Sequence, residues 1–263
     1  MGTQETELIW TVLLLMLGAP MGSFAALLAD RLPRGRPVIL TRSRCDSCQT
    51  VLRWFELIPI LSFLALRGRC RSCAAPIPPR LWQAELAGLG LAGLALWSGL
   101  GLWGAVLFWC LLALILSDLR FFRLPDPLTA ALFVLACAAA LWPAGAGGAT
   151  DPARALQAVA GGAVGAGLFW ALAGVYRLWR GHDGMGAGDI RLMAGLGAMI
   201  VPLADWQGLA LTTLVAGLTG LAMGLLRALR RGRGLRHRLR LPFGACLGGA
   251  AIFVATGAAL GVI

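Results

Sequence analysis

The stretch LFWCLLALILSDLRFFRLPDPLT, residues 107–129, sets the class of this chain. Its first half is an unbroken apolar run. The run closes on Asp118, an ionisable group at membrane depth, which is expensive there and marks a functional site by default. A second aspartate stands in the same relation to an apolar run: Asp189 follows the glycine-rich turn GMGAGD and opens IRLMAGLGAMI. Around these two stretches, 59% of the 263 residues are hydrophobic and only 13% are charged. A soluble domain of this length could not cover so much apolar surface, so the expected class is an all-α polytopic membrane protein.

Eight apolar spans are expected, over residues 8–29, 81–98, 101–117, 128–142, 154–176, 190–203, 207–226 and 241–262. The net charge of +11 comes from 23 basic residues, every one an arginine. With the N-terminus outside, the inside loops are 30–80, 118–127, 177–189 and 227–240. Counting Arg191, these hold 22 of the 23 arginines, and only Arg154 falls outside. That asymmetry is positive-inside topology and argues against nucleic acid as a partner. It brings Asp118 and Asp189 to one face, each at the cytoplasmic end of a helix. Glu5 and Glu7 precede the first run where a signal peptide would be basic, so that run reads as a retained anchor.

The expected organisation is a first anchor over 1–29, a cytoplasmic loop domain over 30–80, and a transmembrane domain over 81–263. The loop carries Cys45-Asp-Ser-Cys48 and Cys70-Arg-Ser-Cys73, separated by 21 residues. Two such knuckles suit a structural four-thiolate zinc site, with no position left open for water. Two disulfides or one redox pair are the competing readings, disfavoured in a reducing compartment. Cys110, Cys137 and Cys246 lie in apolar spans and read as packing residues. Within the loop, Trp54–Leu66 is apolar but too short to span, which predicts an interfacial or re-entrant segment. Glu56 in that segment reads as solvated, with contact to a basic substrate as the other reading.

Two carboxylates are what a water-activating peptidase needs. One takes a proton from water and the other, protonated, polarises the peptide carbonyl; side by side they share a proton. No serine–histidine arrangement competes, since the only histidines are His182 and His237, both in arginine-bearing loops. GMGAGD has no preceding strand, so a dinucleotide site is a poor reading. Gly184, Gly186 and Gly188 instead let backbone come close to a substrate or a neighbouring helix. The bland readings are that Asp189 caps a helix starting at Ile190 and that Asp126 is an N-cap, which could equally assist the site. Asp118 is harder to explain so, because an anion at a helix C-terminus opposes the dipole. Spacing alone leaves both readings open.

Together the motifs resemble the type IV prepilin leader peptidases, intramembrane aspartic proteases with a G-x-G-D motif. The resemblance runs from Gly22-Ser23-Phe24 through Arg31-Leu32-Pro33-Arg34, both cysteine pairs, Trp54, Glu56-Leu57-Ile58-Pro59 and Gly68-Arg69-Cys70-Arg71. It continues with Asp118, Leu124-Pro125-Asp126, Leu128-Thr129, Gly186-Ala187-Gly188-Asp189 and Pro242-Phe243-Gly244. The chain departs from the family pattern at Ala25, Ala26 and Asp30. The resemblance implies Asp118 and Asp189 as catalytic pair, and cleavage of a prepilin or pseudopilin leader at the cytoplasmic face of a bacterial inner membrane. It also implies N-methylation of the new N-terminus with S-adenosylmethionine, in pilus or type II secretion systems. A transporter or channel using the carboxylates as a proton or cation relay is the alternative from another class. A structural secretion-system subunit is a third.

Overall fold

The structure is a computed structural model that describes residues 2–39, 42–142, 150–230 and 241–263. Among these residues it is helical, with no strand and only two isolated bridges. The helices are α1 (Gly2–Arg31), α2 (Leu61–Ala65), α3 (Pro79–Trp97), α4 (Gly101–Phe121), α5 (Asp126–Leu141), α6 (Pro152–Arg180), α7 (Ala187–Arg230) and α8 (Phe243–Ala259). From residue 231 on, the expected 227–240 loop lies outside the described residues, as does His237.

Among the described residues, four helical stretches are long and apolar enough to cross a membrane: Leu8–Arg34, Gly101–Phe121, Pro152–Arg180 and Ala187–Arg230. Shorter apolar helices are Asp126–Leu141 and Phe243–Ala259. The 44 residues of α7 are not one straight helix. Ala204 (φ −140°, ψ 18°) and Asp205 (φ 53°, ψ −166°) leave helical geometry two residues after Pro202, whose missing N–H and ring bulk disfavour a continuous helix. The break lies between the stretches 190–203 and 207–226 read from sequence.

The chain divides into two compact units, Met1–Ala113 and Leu114–Ile263, with the boundary inside α4. In the first unit α1 packs on α3. Gly18 meets Gly88 and Leu89, whereas Gly22 meets Ala84 and Glu85, so the two helices run antiparallel. A side chain at Gly22 would collide with the carbonyl of Ala84, so glycine permits this approach. The Trp109 indole donates to the Gly88 carbonyl at 2.9 Å, satisfying a buried N–H.

In the second unit α7 is the centre, packing against α5, α6 and α8. Its first half, before the break, is buried over Leu192, Met193 and Leu196 through Val201. Small residues again set the spacing: Gly161 and Gly197 meet backbone to backbone between α6 and α7. Without a hydrophobic drive between helices in lipid, such close packing is a main source of association.

Candidate active site

Asp118 is buried, with 6% of its surface exposed, and sits inside α4, which continues to Phe121. The sequence reading ended the span one residue earlier. A left-handed Phe122 (φ 52°) then turns the chain. The buried Ser117 hydroxyl donates to the Arg123 carbonyl at 2.7 Å, tying that turn back onto the helix. The turn delivers Leu124-Pro125 to the start of α5.

The Asp118 carboxylate meets the first turn of α8. The Ala245 N–H donates to its Oδ2 at 2.8 Å, and the Gly244 N–H also donates to the carboxylate. These amides have no partner within their own helix, and Pro242 before them offers no side-chain cap. A carboxylate at a helix N-terminus meets unpaired donors and the positive dipole end. The C-terminal position of Asp118 on α4, unfavourable taken alone, is thus answered by a second helix.

Asp189 is half-buried at the third position of α7, which begins at Ala187. It is not the N-cap of a helix starting at Ile190. Its carboxylate reaches back to the Gly186 N–H, and its own N–H donates to the Gly186 carbonyl at 3.0 Å. That is half of a capping box. The charge of Asp118 bears on Asp189. Leu124 packs between the two motifs. A Cβ at Gly188 would sit 3.1 Å from Leu124 Cβ, and one at Gly244 would sit 2.9 Å from Leu124 Cδ1 and 3.1 Å from Asp118 Oδ2. Leu-Pro-Asp, Gly-Ala-Gly-Asp and Pro-Phe-Gly therefore converge.

The other expected residues divide. Gly188 makes a close approach, since a Cβ there would press on Leu124. Gly186 supplies backbone, and a Cβ there would make only ordinary contact with Asp189 at 3.8 Å. Asp126 is exposed at the first position of α5, after Pro125 as cap, so it is not the N-cap. It pairs with Arg191 Nη1 at 2.5 Å, linking the starts of α5 and α7. The loop before Gly186 is strapped to α6 by Arg177–Asp183 at 2.7 Å and by the Tyr176 ring, against which Gly184 lies.

In the other unit, Cys45, Cys48, Cys70 and Cys73 form one cluster, with all four sulfurs within 4.8 Å of one another. Cys45–Cys73 and Cys48–Cys70 are 3.9 and 4.0 Å apart. Four thiolates around zinc at ~2.3 Å would stand about 3.8 Å apart, so the donor set fits that ion. The two knuckles repeat one another. Cys45 N–H donates to Thr50 O and Gln49 N–H to Cys45 O, just as Cys70 N–H donates to Ala75 O and Ala74 N–H to Cys70 O. Left-handed Gln49 and Ala74 match, as do the bridges Arg44–Val51 and Arg69–Pro76. The Thr50 hydroxyl and then its backbone amide hold the Cys48 thiol down to about 6. The Cys73 and Ser72 amides lower Cys70. Both effects favour the thiolate, the form that ligates metal. Cys246 is buried and Cys110 and Cys137 are half-buried, apart from the cluster. Glu56, read as solvated, is instead paired: its side chain is 7% exposed, accepts from Arg53 N–H at 2.7 Å and meets Arg71 at 3.2 Å.

Comparison with known proteins adds the family. The bacterial peptidase A24 N-terminal domain matches residues 16–98, and the type IV leader peptidase family matches residues 105–225. The prepilin leader peptidase/N-methyltransferase of Burkholderia pseudomallei (strain 1026b) is 39% identical over 229 residues, 84% of this chain and 70% of that protein. The chain belongs to the type IV leader peptidase family. The protein of the same name from Dickeya chrysanthemi is 35% identical over 246 residues, covering 83% of each chain. That of Pseudomonas aeruginosa PAO1 is 32% identical over 257 residues, covering 88% of this chain and 84% of its own. No solved structure matches.

Two predictions arise from this geometry. Gly244→Ala forces its Cβ against Leu124 and the Asp118 carboxylate, and is expected to slow leader cleavage roughly 10- to 100-fold. Initial rates on a prepilin check it, and an unchanged rate refutes the packing argument. Arg191→Gln breaks a pair that is 48% exposed on the arginine and 65% on the aspartate, where ion pairs contribute about 0–1 kcal/mol. Thermal stability should barely move, and cleavage should fall only a few-fold.

Proposed function

We propose that this protein is a membrane-embedded aspartic endopeptidase that removes the basic leader of a prepilin or pseudopilin at the cytoplasmic face of the inner membrane. The convergence of three motifs on Asp118 and Asp189 in a leader peptidase chain carries this reading. Asp118 and Asp189 act as a dyad sharing one proton. The ionised member removes a proton from water, the resulting hydroxide adds to the scissile carbonyl, and the protonated member donates to that oxygen. Collapse of the tetrahedral adduct breaks the C–N bond as the leaving amine gains a proton. The α8 amides hold the Asp118 carboxylate in place, and the Gly186 amide holds that of Asp189.

The topology proposed is eight spans: α1, α3, α4, α5, α6, the two halves of α7 and α8. Both termini are outside and every arginine but Arg154 inside, which puts both aspartates at the cytoplasmic level. The functional parts are the anchor 1–29, the loop 30–80 and the peptidase domain 81–263. Cys45, Cys48, Cys70 and Cys73 hold a structural zinc ion, which would staple a loop too small to build its own core. Methyl transfer to the new amine would draw on S-adenosylmethionine, as the names of the relatives suggest; no residue of this chain is assigned to that donor. A proton or cation relay is not favoured, since the relatives are peptidases by name.

Incubation of the purified protein with a prepilin tests the proposal. Release of the leader is expected, and mass spectrometry of the mature N-terminus reads the added methyl group when S-adenosylmethionine is supplied. An intact prepilin after prolonged incubation with folded protein would overturn it.

A further inference from the structure

The apolar stretch between the two knuckles has a defined depth. In the antiparallel hairpin of α1 and α3, the Arg31 and Pro79 ends lie on the same side. Ile60, in an unusual left-handed conformation (φ 61°), donates its N–H to Glu85 Oε2 at 2.7 Å. Between Pro79 and Glu85 the helix advances roughly 9 Å at about 1.5 Å per residue. Glu85 faces Gly22 across the hairpin, and from that same level α1 rises roughly 13 Å to Arg31. Phe63 stacks near Trp82, ring centres 5.8 Å apart, one turn closer to the Pro79 end. The chain therefore dips alongside α3, reverses at Pro59-Ile60, and climbs back as α2. It returns to the second knuckle through Gly68, which lies against the Phe63 ring.

One side of this dip faces α3. The other leaves Trp54 77%, Leu57 49%, Leu61 64% and Leu64 64% exposed. Large apolar side chains left exposed together on one short segment signal a partner. Its surroundings are cationic: Arg53, Arg67 and Arg69 are exposed beside it. The acids between residues 42 and 80, Asp46 and Glu56, both face arginines, Arg80 at 3.8 Å and Arg71 at 3.2 Å. Apolar side chains at interfacial depth beneath a rim of arginine fit one partner, the anionic phospholipid leaflet. Glu56–Arg71 ties the start of the dip to the second knuckle, so the cysteine cluster braces it.

We infer that Trp54–Leu66 is a re-entrant lipid-docking element. Its leucines and Trp54 rest in the acyl boundary, and its flanking arginines bind anionic phospholipid headgroups. This inference is independent of the peptidase reading.

The test uses the full chain in nanodiscs of phosphatidylcholine, alone or mixed with phosphatidylglycerol. Photoreactive benzoylphenylalanine replaces Trp54 or Leu61, with Asp46 as the control position. Lipid adducts at positions 54 and 61 should exceed those at 46 several-fold and rise with phosphatidylglycerol. They should fall in high salt and in the Arg67→Gln, Arg69→Gln variant. Adducts no more frequent than at 46, or indifferent to phosphatidylglycerol, overturn the inference. So does capture of an added prepilin at position 54 in place of lipid, which would make the surface a substrate dock. An unchanged melting temperature in each variant certifies the fold, and Asp118→Asn should cross-link like the parent.

Discussion

Asp118→Asn or Asp189→Asn is expected to abolish leader cleavage while the protein accumulates in the membrane at its normal level. Asparagine keeps the shape and keeps an acceptor oxygen for the Ala245 amide at position 118 and for the Gly186 amide at position 189. The local caps survive, so folding should be nearly unaffected. What is lost is the ability to hold or release a proton. Acid–base assistance contributes about 10²–10⁴-fold, or roughly 3–5 kcal/mol of barrier at about 1.4 kcal/mol per tenfold. On the proposed dyad, in which the two groups act as a unit, the double variant should be no slower than the worse single one. Initial rates on purified prepilin, with immunoblots for abundance, decide the matter. A variant that cleaves at the parental rate removes its residue from the dyad.

Much of the fold is written in local apolar patterning, and the structure departs from it where long-range partners intervene. The break between 190–203 and 207–226 was legible because Pro202 and Asp205 interrupt an oily run. The helix boundaries at the site were not. Asp118 looked terminal, yet α4 runs on to Phe121, and the Asp118 carboxylate finds its donors on α8. No reading of neighbours in the chain could supply a partner 127 residues away. The Pro242-Phe243-Gly244 motif was recognisable but mute for the same reason. Its role lies in amides that carry no side-chain signature. Glu56 erred in the same direction, since Arg71 reaches it only once the second knuckle has turned the chain back.

Purified protein should contain about one equivalent of zinc, and Cys45→Ser with Cys70→Ser should lose it. Cys45 lies against Cys73 and Cys48 against Cys70, so the substitutions take one thiolate from each knuckle and leave no intact pair. Structural zinc in small modules carries an apparent binding free energy of about 10–16 kcal/mol at neutral pH, and two ligands cannot sustain it. Released from its staple, the stretch around the knuckles should become sensitive to limited proteolysis. The disulfide reading makes the opposite forecast. It requires sulfurs about 2 Å apart, against 3.9 and 4.0 Å here, and predicts no metal and no thiols open to alkylation after metal removal. The intact protein with no zinc would sink the four-thiolate site. Asp118→Asn should keep its full metal content, because the two aspartates and the four cysteines belong to separate compact units. A loss of zinc in that variant would mean that the aspartate supports the fold of the whole chain, and its cleavage defect could no longer be read as chemistry.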